Sequence, residues 1–178
     1  MSWARVYDML KHVSLERQDL CRDLMAKHRD RLKAAPGSGG AHHAWPGGYL
    51  EHVLQCMRLA VDLHLVLPRP AAVSVQDAVL VMFLHDLEKP WRYVAPVDPR
   101  AAGSKNERGS FRDELIRGAG IVLTDGQAEA VRHVEGEGDD YVPGGRAMSP
   151  LAAFCHACDV ISARILFDEG RPTPSGGT

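Results

Sequence analysis

The sequence lacks any apolar run that approaches the ~20 residues needed to cross a lipid bilayer. Its amino-terminal stretch is charged throughout and has no apolar segment typical of a secretory signal peptide. The chain has only four cysteines, at irregular positions, and a domain of 178 residues does not need disulfides for its stability. These absences predict a cytoplasmic protein with reduced thiols and no membrane partner.

The sequence also lacks an excess of charge of either sign. It contains 21 lysines and arginines against 23 aspartates and glutamates, which gives a formal net charge of −2. A general nucleic-acid binder would show a basic excess, so nucleic acid is not favoured as a partner. The basic stretch at 27–33 is a candidate for a local basic patch, but the end of a helix explains it better, so it does not indicate a function.

Neither internal repeats nor a convincing set of strand patterns occurs in the sequence. Apolar residues recur instead at helical spacing, and Pro, Gly and Ser mark where successive helices begin and end. Hydrophobic residues make up 45% of the chain, which is enough for one sizeable core. We therefore predict an all-α protein: a compact, single-domain helical bundle over residues 1–169, followed by a disordered tail at 170–178.

A predicted helix over about residues 47–67 carries a histidine on its apolar side. From Leu50 onwards the segment is apolar except for one polar stripe at helical spacing. His52 falls off that stripe and onto the wide face that we expect to be buried. The polar stripe consists of Glu51, Gln55, Arg58 and Asp62.

Another predicted helix, over about residues 75–88, ends in polar residues. Ser74 begins a pattern typical of a capping box, and Pro90 should stop the helix. Seven consecutive apolar residues precede His85 and Asp86. A buried strand is the competing interpretation of the apolar part, but the cap and the length favour a helix.

The last predicted helix contains a charge where the core is expected. Ser149 and Pro150 suit the N-cap and the first turn, and the helix should continue to about Phe167. In its middle part, "LAAFCHACDVISA", Asp159 is the only formal charge. An unpaired buried carboxylate would cost several kcal/mol, so Asp159 requires a cation, strong donors or a metal ion.

Four polar residues on three predicted helices lie on or beside apolar faces in this way. Taken singly, a buried histidine is more often a core residue than a ligand, and a buried aspartate more often caps a helix or pairs with an arginine. Taken together, they supply the nitrogen and oxygen ligands that a divalent transition metal uses. The four residues are His52, His85, Asp86 and Asp159.

These residues resemble the H…HD…D signature of the HD-domain superfamily of metal-dependent phosphohydrolases. Lys89 matches the lysine of the frequent HD-x-G-K form, whereas Glu88 replaces its glycine. The stretch "HHAWPGGYLEH" resembles the histidine-rich approach to the first ligand in several branches, and "FCHACDVISAR" resembles the helix of the last ligand. The resemblance covers about residues 42–164, and it implies an HD-type helical fold with its metal site in that part of the chain.

The resemblance implies that metal-bound water attacks a phosphate ester. Asp86 would then serve catalysis as well as metal binding, and Lys89 would neutralise developing phosphate charge; a solvated lysine at a helix end is the alternative for Lys89. We expect one divalent ion rather than two, from among Mn, Fe, Co, Ni and Zn, with Mg as a further candidate. His133 is the candidate for the extra histidine of binuclear members.

Substrate contacts are expected from residues near the predicted ligands. Trp45 lies on the loop before the first ligand, where it could stack on a nucleobase or instead cover the core. The predicted substrate-binding set is His42, His43, Trp45, Lys89, Arg92 and His133.

The leading hypothesis is an enzyme that hydrolyses a small-molecule phosphate ester, namely a phosphomonoester or phosphoanhydride of a nucleotide. One alternative is a phosphodiesterase that acts on cyclic nucleotides or on the 3′ ends of nucleic acids. Another is a noncatalytic sensor domain that binds a nucleotide or a metal. A homo-oligomer is compatible with the sequence.

Overall fold

The structure, a computed structural model, describes residues 2–67, 73–145, 147–169 and 171. Within these ranges every regular element is helical and no strand occurs, which confirms the all-α prediction. The predicted tail at 170–178 lies outside the described residues except for residue 171. The helices are α1 (Ser2–Met9), α2 (Leu15–Lys27), α3 (Arg29–Ala34), α4 (Gly48–Val66), α5 (Val75–Leu84), α6 (Lys89–Tyr93), α7 (Lys105–Gly118), α8 (Asp125–His133) and α9 (Pro150–Arg164), with 3-10 turns at Leu10–His12 and Gly138–Asp140.

The core is built around α4 and α5. All residues of α5 from 78 to 84 are buried, and this helix packs against α4, α8 and α9. Helix α4 in turn packs against α1, α5 and α9. Because burying one large apolar side chain contributes roughly 1.5–3 kcal/mol, these contacts hold α4, α5 and α9 in a fixed relation. Polar residues on the three helices are thereby brought into one region.

The predicted helix starts at Ser74 and Ser149 are confirmed. The hydroxyl of Ser74 accepts a hydrogen bond from the backbone N–H of Asp77 at 3.4 Å, and that of Ser149 accepts one from Ala152 at 3.2 Å. Each hydroxyl satisfies an N–H that has no partner within its own helix. Helix α9 ends at Arg164, slightly before the predicted end near 167.

The prediction that Pro90 ends the helix begun at Ser74 is wrong. Helix α5 already ends at Leu84, the chain turns tightly, and Pro90 lies in the first turn of α6. Proline has no N–H to donate to the carbonyl of Asp86, which accepts instead from the N–H of Lys89 at 3.0 Å. This hydrogen bond spans three residues instead of the four of an α-helix. It separates α5 from α6 and places the His85–Asp86 pair on a turn.

No helix in the described part of the chain is both long enough and apolar enough to cross a membrane.

Candidate metal centre

The structure brings the four predicted metal ligands together. Nε2 of His52 lies 3.3 Å from Oδ2 of Asp86 and 3.1 Å from Oδ1 of Asp159. Nε2 of His85 lies 3.2 Å from Oδ2 of Asp86 and 3.7 Å from Oδ1 of Asp159. His52 comes from α4, the adjacent pair from the turn after α5, and Asp159 from α9.

Burial differs within the cluster. His52 is fully buried, and His85 and Asp86 are each only 2% exposed. The side chain of Asp159 is 17% exposed. The cluster is therefore closed on the side of α4 and α5 and opens to solvent beside Asp159.

The orientation of the His85 ring is fixed by the last turn of α5. Nδ1 of His85 lies 2.8 Å from the backbone carbonyl of Met82. A carbonyl oxygen only accepts, so Nδ1 carries the hydrogen, and in the neutral ring Nε2 keeps its lone pair. That lone pair points into the cluster, as a metal ligand requires.

The side chains of this cluster fit a divalent cation. Two imidazole nitrogens and two carboxylates converge, and this is a donor set typical of transition-metal sites. Among the described residues, no donor gives the buried Oδ2 of Asp86 a hydrogen bond of acceptable geometry, although the Lys89 ammonium lies 2.5 Å away. The sequence did not single out Cys56, whose sulfur lies 3.8 Å from both ring nitrogens of His52.

The charges of the cluster shift the pKa values of its members. Burial acts to lower the pKa of His85, but Asp86 and the other neighbouring acidic groups raise it to about 9. Burial also acts to lower the pKa of His52, but Cys56 and the carboxylates raise it well above its usual range. Burial acts to raise the pKa of Asp86, whereas the charges of His85 and Lys89 hold it well below its usual range. Without a metal, protons therefore occupy the histidines at neutral pH.

Arg112 of α7 supports the turn that carries His85. Its Nη1 donates a hydrogen bond to the backbone carbonyl of His85 at 2.7 Å and lies 4.0 Å from Oε2 of Glu88. Burial and the charge of Asp86 raise the pKa of Glu88 to about 7, and Arg112 acts in the opposite direction. Sequence reasoning left Glu88 without a role and did not identify Arg112, because only the folded chain brings α7 to this turn.

The loop before α4 places two of the predicted substrate residues beside the cluster. The ring centroids of His42 and His43 lie 4.8 Å and 5.3 Å from that of His52. A Cβ at Gly48 would lie 1.9 Å from the carbonyl oxygen of His43, so only glycine permits this approach. Trp45 is half-buried and packs against His43, with ring centroids 5.2 Å apart.

The other three predicted substrate residues, Lys89, Arg92 and His133, contact different partners. Lys89 is 8% exposed and belongs to the cluster through Asp86. The guanidinium of Arg92 lies over the ring of Tyr93, 5.2 Å from its centroid. The two ring nitrogens of His133 lie 2.8 Å from carboxylate oxygens of Glu129 and Asp140, respectively. The described contacts thus place His133 in a separate cluster.

Gln55 and Ser162 were missed as neighbours of the site. Gln55 was assigned to the polar stripe of its helix, yet it is only 7% exposed because the segment after α9 covers it. Ser162 is fully buried and lies 2.9 Å from Nδ1 of His52 through its hydroxyl. The sequence feature that could have identified Ser162 is its position, a small hydroxyl residue one helical turn after Asp159 in an apolar helix.

Comparison with known proteins gives one distant similarity. The chain is 27% identical over 138 residues to dihydroneopterin 2′,3′-cyclic phosphate phosphodiesterase from Methanocaldococcus jannaschii. The match covers 75% of this chain and 53% of that protein, so the chain spans about half the length of this relative. No family model and no solved structure matches the chain. Membership of the HD-domain superfamily therefore stays a prediction.

Proposed function

We propose that this chain is a metal-dependent phosphohydrolase. The observation that carries the proposal is the convergence of His52, His85, Asp86 and Asp159 on one point that is open to solvent beside Asp159. The similarity to a cyclic phosphate phosphodiesterase supports the same general class of reaction. A pure scaffold has no physical need for two carboxylates in such a cluster, so we favour an enzyme.

The four side chains would hold one divalent ion. When bound, such an ion acts as a Lewis acid towards a phosphoryl oxygen and lowers the pKa of a water molecule towards neutrality. Lys89 keeps the Asp86 carboxylate ionised, because its ammonium lies 2.5 Å from Oδ2. Asp86 is therefore an anion, as a metal ligand must be. Lys89 also adds positive charge where negative charge develops on the phosphate.

The substrate is a small phosphate ester. From the sequence we expect a phosphomonoester or phosphoanhydride of a nucleotide. A cyclic phosphodiester is the second candidate, and the comparison favours it because the name of the relative specifies a 2′,3′-cyclic phosphate. Trp45, half-buried beside His43, is the proposed stacking surface for a base.

The test combines metal analysis with a substrate panel. The purified protein is assayed with Mn²⁺, Co²⁺ or Mg²⁺ against nucleoside mono-, di- and triphosphates, 3′,5′- and 2′,3′-cyclic nucleotides and short oligonucleotides. We expect metal-dependent turnover of at least one small phosphate ester, which Asp159→Ala abolishes together with metal binding. The matched control is Asp62→Ala, an exposed position on α4, which should retain both properties. Metal binding without turnover of any compound would instead support the sensor.

A further inference from the structure

Gln55 lies in a buried chain of hydrogen bonds that reaches the candidate metal centre. Its Nε2 donates to the backbone carbonyls of Leu166 and Glu169, at 3.5 Å and 3.4 Å. Carbonyl oxygens only accept, so the NH₂ group must face them and Oε1 must face the opposite side. The segment that follows α9 thereby fixes the orientation of the Gln55 amide.

The amide oxygen of Gln55 receives two hydrogen bonds. The hydroxyl of Ser162 donates to it at 2.8 Å, and Nε2 of His43 lies 3.0 Å away. Because Oε1 cannot donate, both neighbours must supply the hydrogen. The single hydroxyl hydrogen of Ser162 is therefore committed to Gln55.

This commitment decides where His52 carries its hydrogen. The oxygen of Ser162 has only lone pairs left for Nδ1 of His52, which lies 2.9 Å away. Nδ1 must then donate, and in the neutral ring the lone pair is on Nε2, which faces the carboxylates. With the amide reversed, Ser162 would donate to Nδ1 instead, and the hydrogen on Nε2 would prevent His52 from binding a metal there.

We propose, on the basis of the metal centre proposed above, that Gln55 is a positioning residue that selects the metal-binding tautomer of His52 through Ser162. The described hydrogen bonds of Gln55 go to none of the four candidate ligands, and it acts through the direction of one hydroxyl hydrogen. Partners of this kind, which orient a ligating histidine, commonly affect metal affinity by about 10–100-fold.

The same chain of bonds accounts for the histidines before α4. Ligand atoms of His42, His43 and His52 lie within 4.8 Å of one another, an arrangement that by itself resembles a second metal site. Nε2 of His43 donates to Gln55, however, and its Nδ1 lies 3.2 Å from Nδ1 of His42, from which it accepts. Both nitrogens of His43 are thus used within the protein, and the rings of His42 and His43 extend the hydrogen-bond chain beyond Gln55.

The test measures Co²⁺ affinity by absorption titration of three variants. Gln55→Met has a similar shape but no acceptor, so Ser162 is free to donate to His52 and affinity should fall about 10–100-fold. Gln55→Glu keeps an acceptor for Ser162 and should remain within about threefold of wild type. A role in packing alone predicts the opposite order, because glutamate brings a buried charge against two carbonyls. The control, Leu54→Met, is a volume-conserving change at a fully buried neighbour and should leave affinity unchanged.

A double-mutant cycle of Gln55→Met and Ser162→Ala tests the effect on the His52 tautomer with variants that, unlike Gln55→Glu, add no charge. If Gln55 acts through Ser162, then Gln55→Met should have little further effect in a Ser162→Ala background. Additive effects would overturn the proposal, as would unchanged affinity in folded Gln55→Met. If Gln55→Met does not fold, Ser162→Ala alone should weaken Co²⁺ binding several-fold, and unchanged affinity there would overturn it equally. If the wild-type protein binds no Co²⁺, both the proposed metal centre and the role of Gln55 are overturned. If all variants bind Co²⁺ equally, only the role of Gln55 is overturned.

Discussion

Nε2 of His52 lies 3.2 Å from Nε2 of His85. The other nitrogen of each ring is hydrogen-bonded, in His52 to the hydroxyl of Ser162 and in His85 to the carbonyl of Met82. Two lone pairs and two carboxylates consequently meet at one place, an arrangement that is favourable only around a cation. Without a metal, the rings themselves carry the positive charge, because the neighbouring acidic groups outweigh burial and raise the pKa of both histidines. Protons and a metal ion must therefore compete for the same nitrogens.

Metal binding should release protons and should weaken as the pH falls. The pKa of His85 is raised to about 9, so its ring is protonated at neutral pH in the metal-free protein and must lose that proton to bind an ion. The affinity for Co²⁺ should rise about tenfold per pH unit for each proton displaced, from about pH 6 to about pH 9. Calorimetry in buffers of different ionisation enthalpy would count the protons. An affinity that does not change with pH would contradict the shared site.

Lys89→Met should destabilise the metal-free protein more than the metal-bound protein. Lys89 is 8% exposed, and its ammonium lies 2.5 Å from Oδ2 of the buried Asp86. Removing the ammonium takes away one of the cations around the Asp86 carboxylate, at an expected cost of about 3 kcal/mol in chelator. A bound ion supplies the missing charge, so the cost measured by urea unfolding should be smaller with metal present.

The control for this experiment is Lys33→Met, an exposed lysine at the end of α3. Its effect on the free energy of unfolding should stay within about 0.5 kcal/mol under both conditions. Equal losses for Lys89→Met with and without metal would show that the ion and the ammonium do not balance the same carboxylate.

The candidate ligands were predictable from sequence, whereas the bonds that orient them were not. His52 and Asp159 were identified because each interrupts an apolar helical face, and that pattern is local. Helical spacing placed Gln55 on the polar stripe, and it is buried only because the segment after α9 folds over it. Ser162 reaches His52 across 110 positions of sequence, a contact that periodicity cannot encode. Local pattern thus predicted the residues, and tertiary packing determined their hydrogen-bond partners.

Glu88→Gln should stabilise the metal-free protein at high pH. Burial raises the pKa of Glu88 from 4.5 to about 7, so the folded protein binds this proton more tightly than the unfolded chain does. The carboxylate therefore costs stability above about pH 7, and the cost disappears as the pH falls towards about 4.5. Replacing it with an amide should gain on the order of 2–3 kcal/mol at most above pH 7, and nothing near pH 4.5.

Urea unfolding in chelator across this pH range would measure the difference between Glu88→Gln and wild type. The matched control is Glu16→Gln, at an exposed position in the first turn of α2, which should show no comparable gain. A loss of stability at high pH would mean that the attraction between Glu88 and Arg112, 4.0 Å apart, outweighs the cost of burying the carboxylate.

Ser149→Ala should weaken the fold without weakening metal binding. The hydroxyl of Ser149 accepts from the N–H of Ala152 at 3.2 Å and donates to Glu129 of α8, so it caps α9 and ties two helices together. Losing both bonds should cost about 1–2 kcal/mol in urea unfolding. Asp159 lies several turns further along α9, where packing against α4 and α5 fixes the helix, so Co²⁺ affinity should not change. Ser110→Ala, at an exposed position within α7, is the control and should alter stability by no more than about 0.5 kcal/mol. If Co²⁺ affinity fell in parallel with stability, the position of Asp159 would depend on the start of α9 rather than on the core.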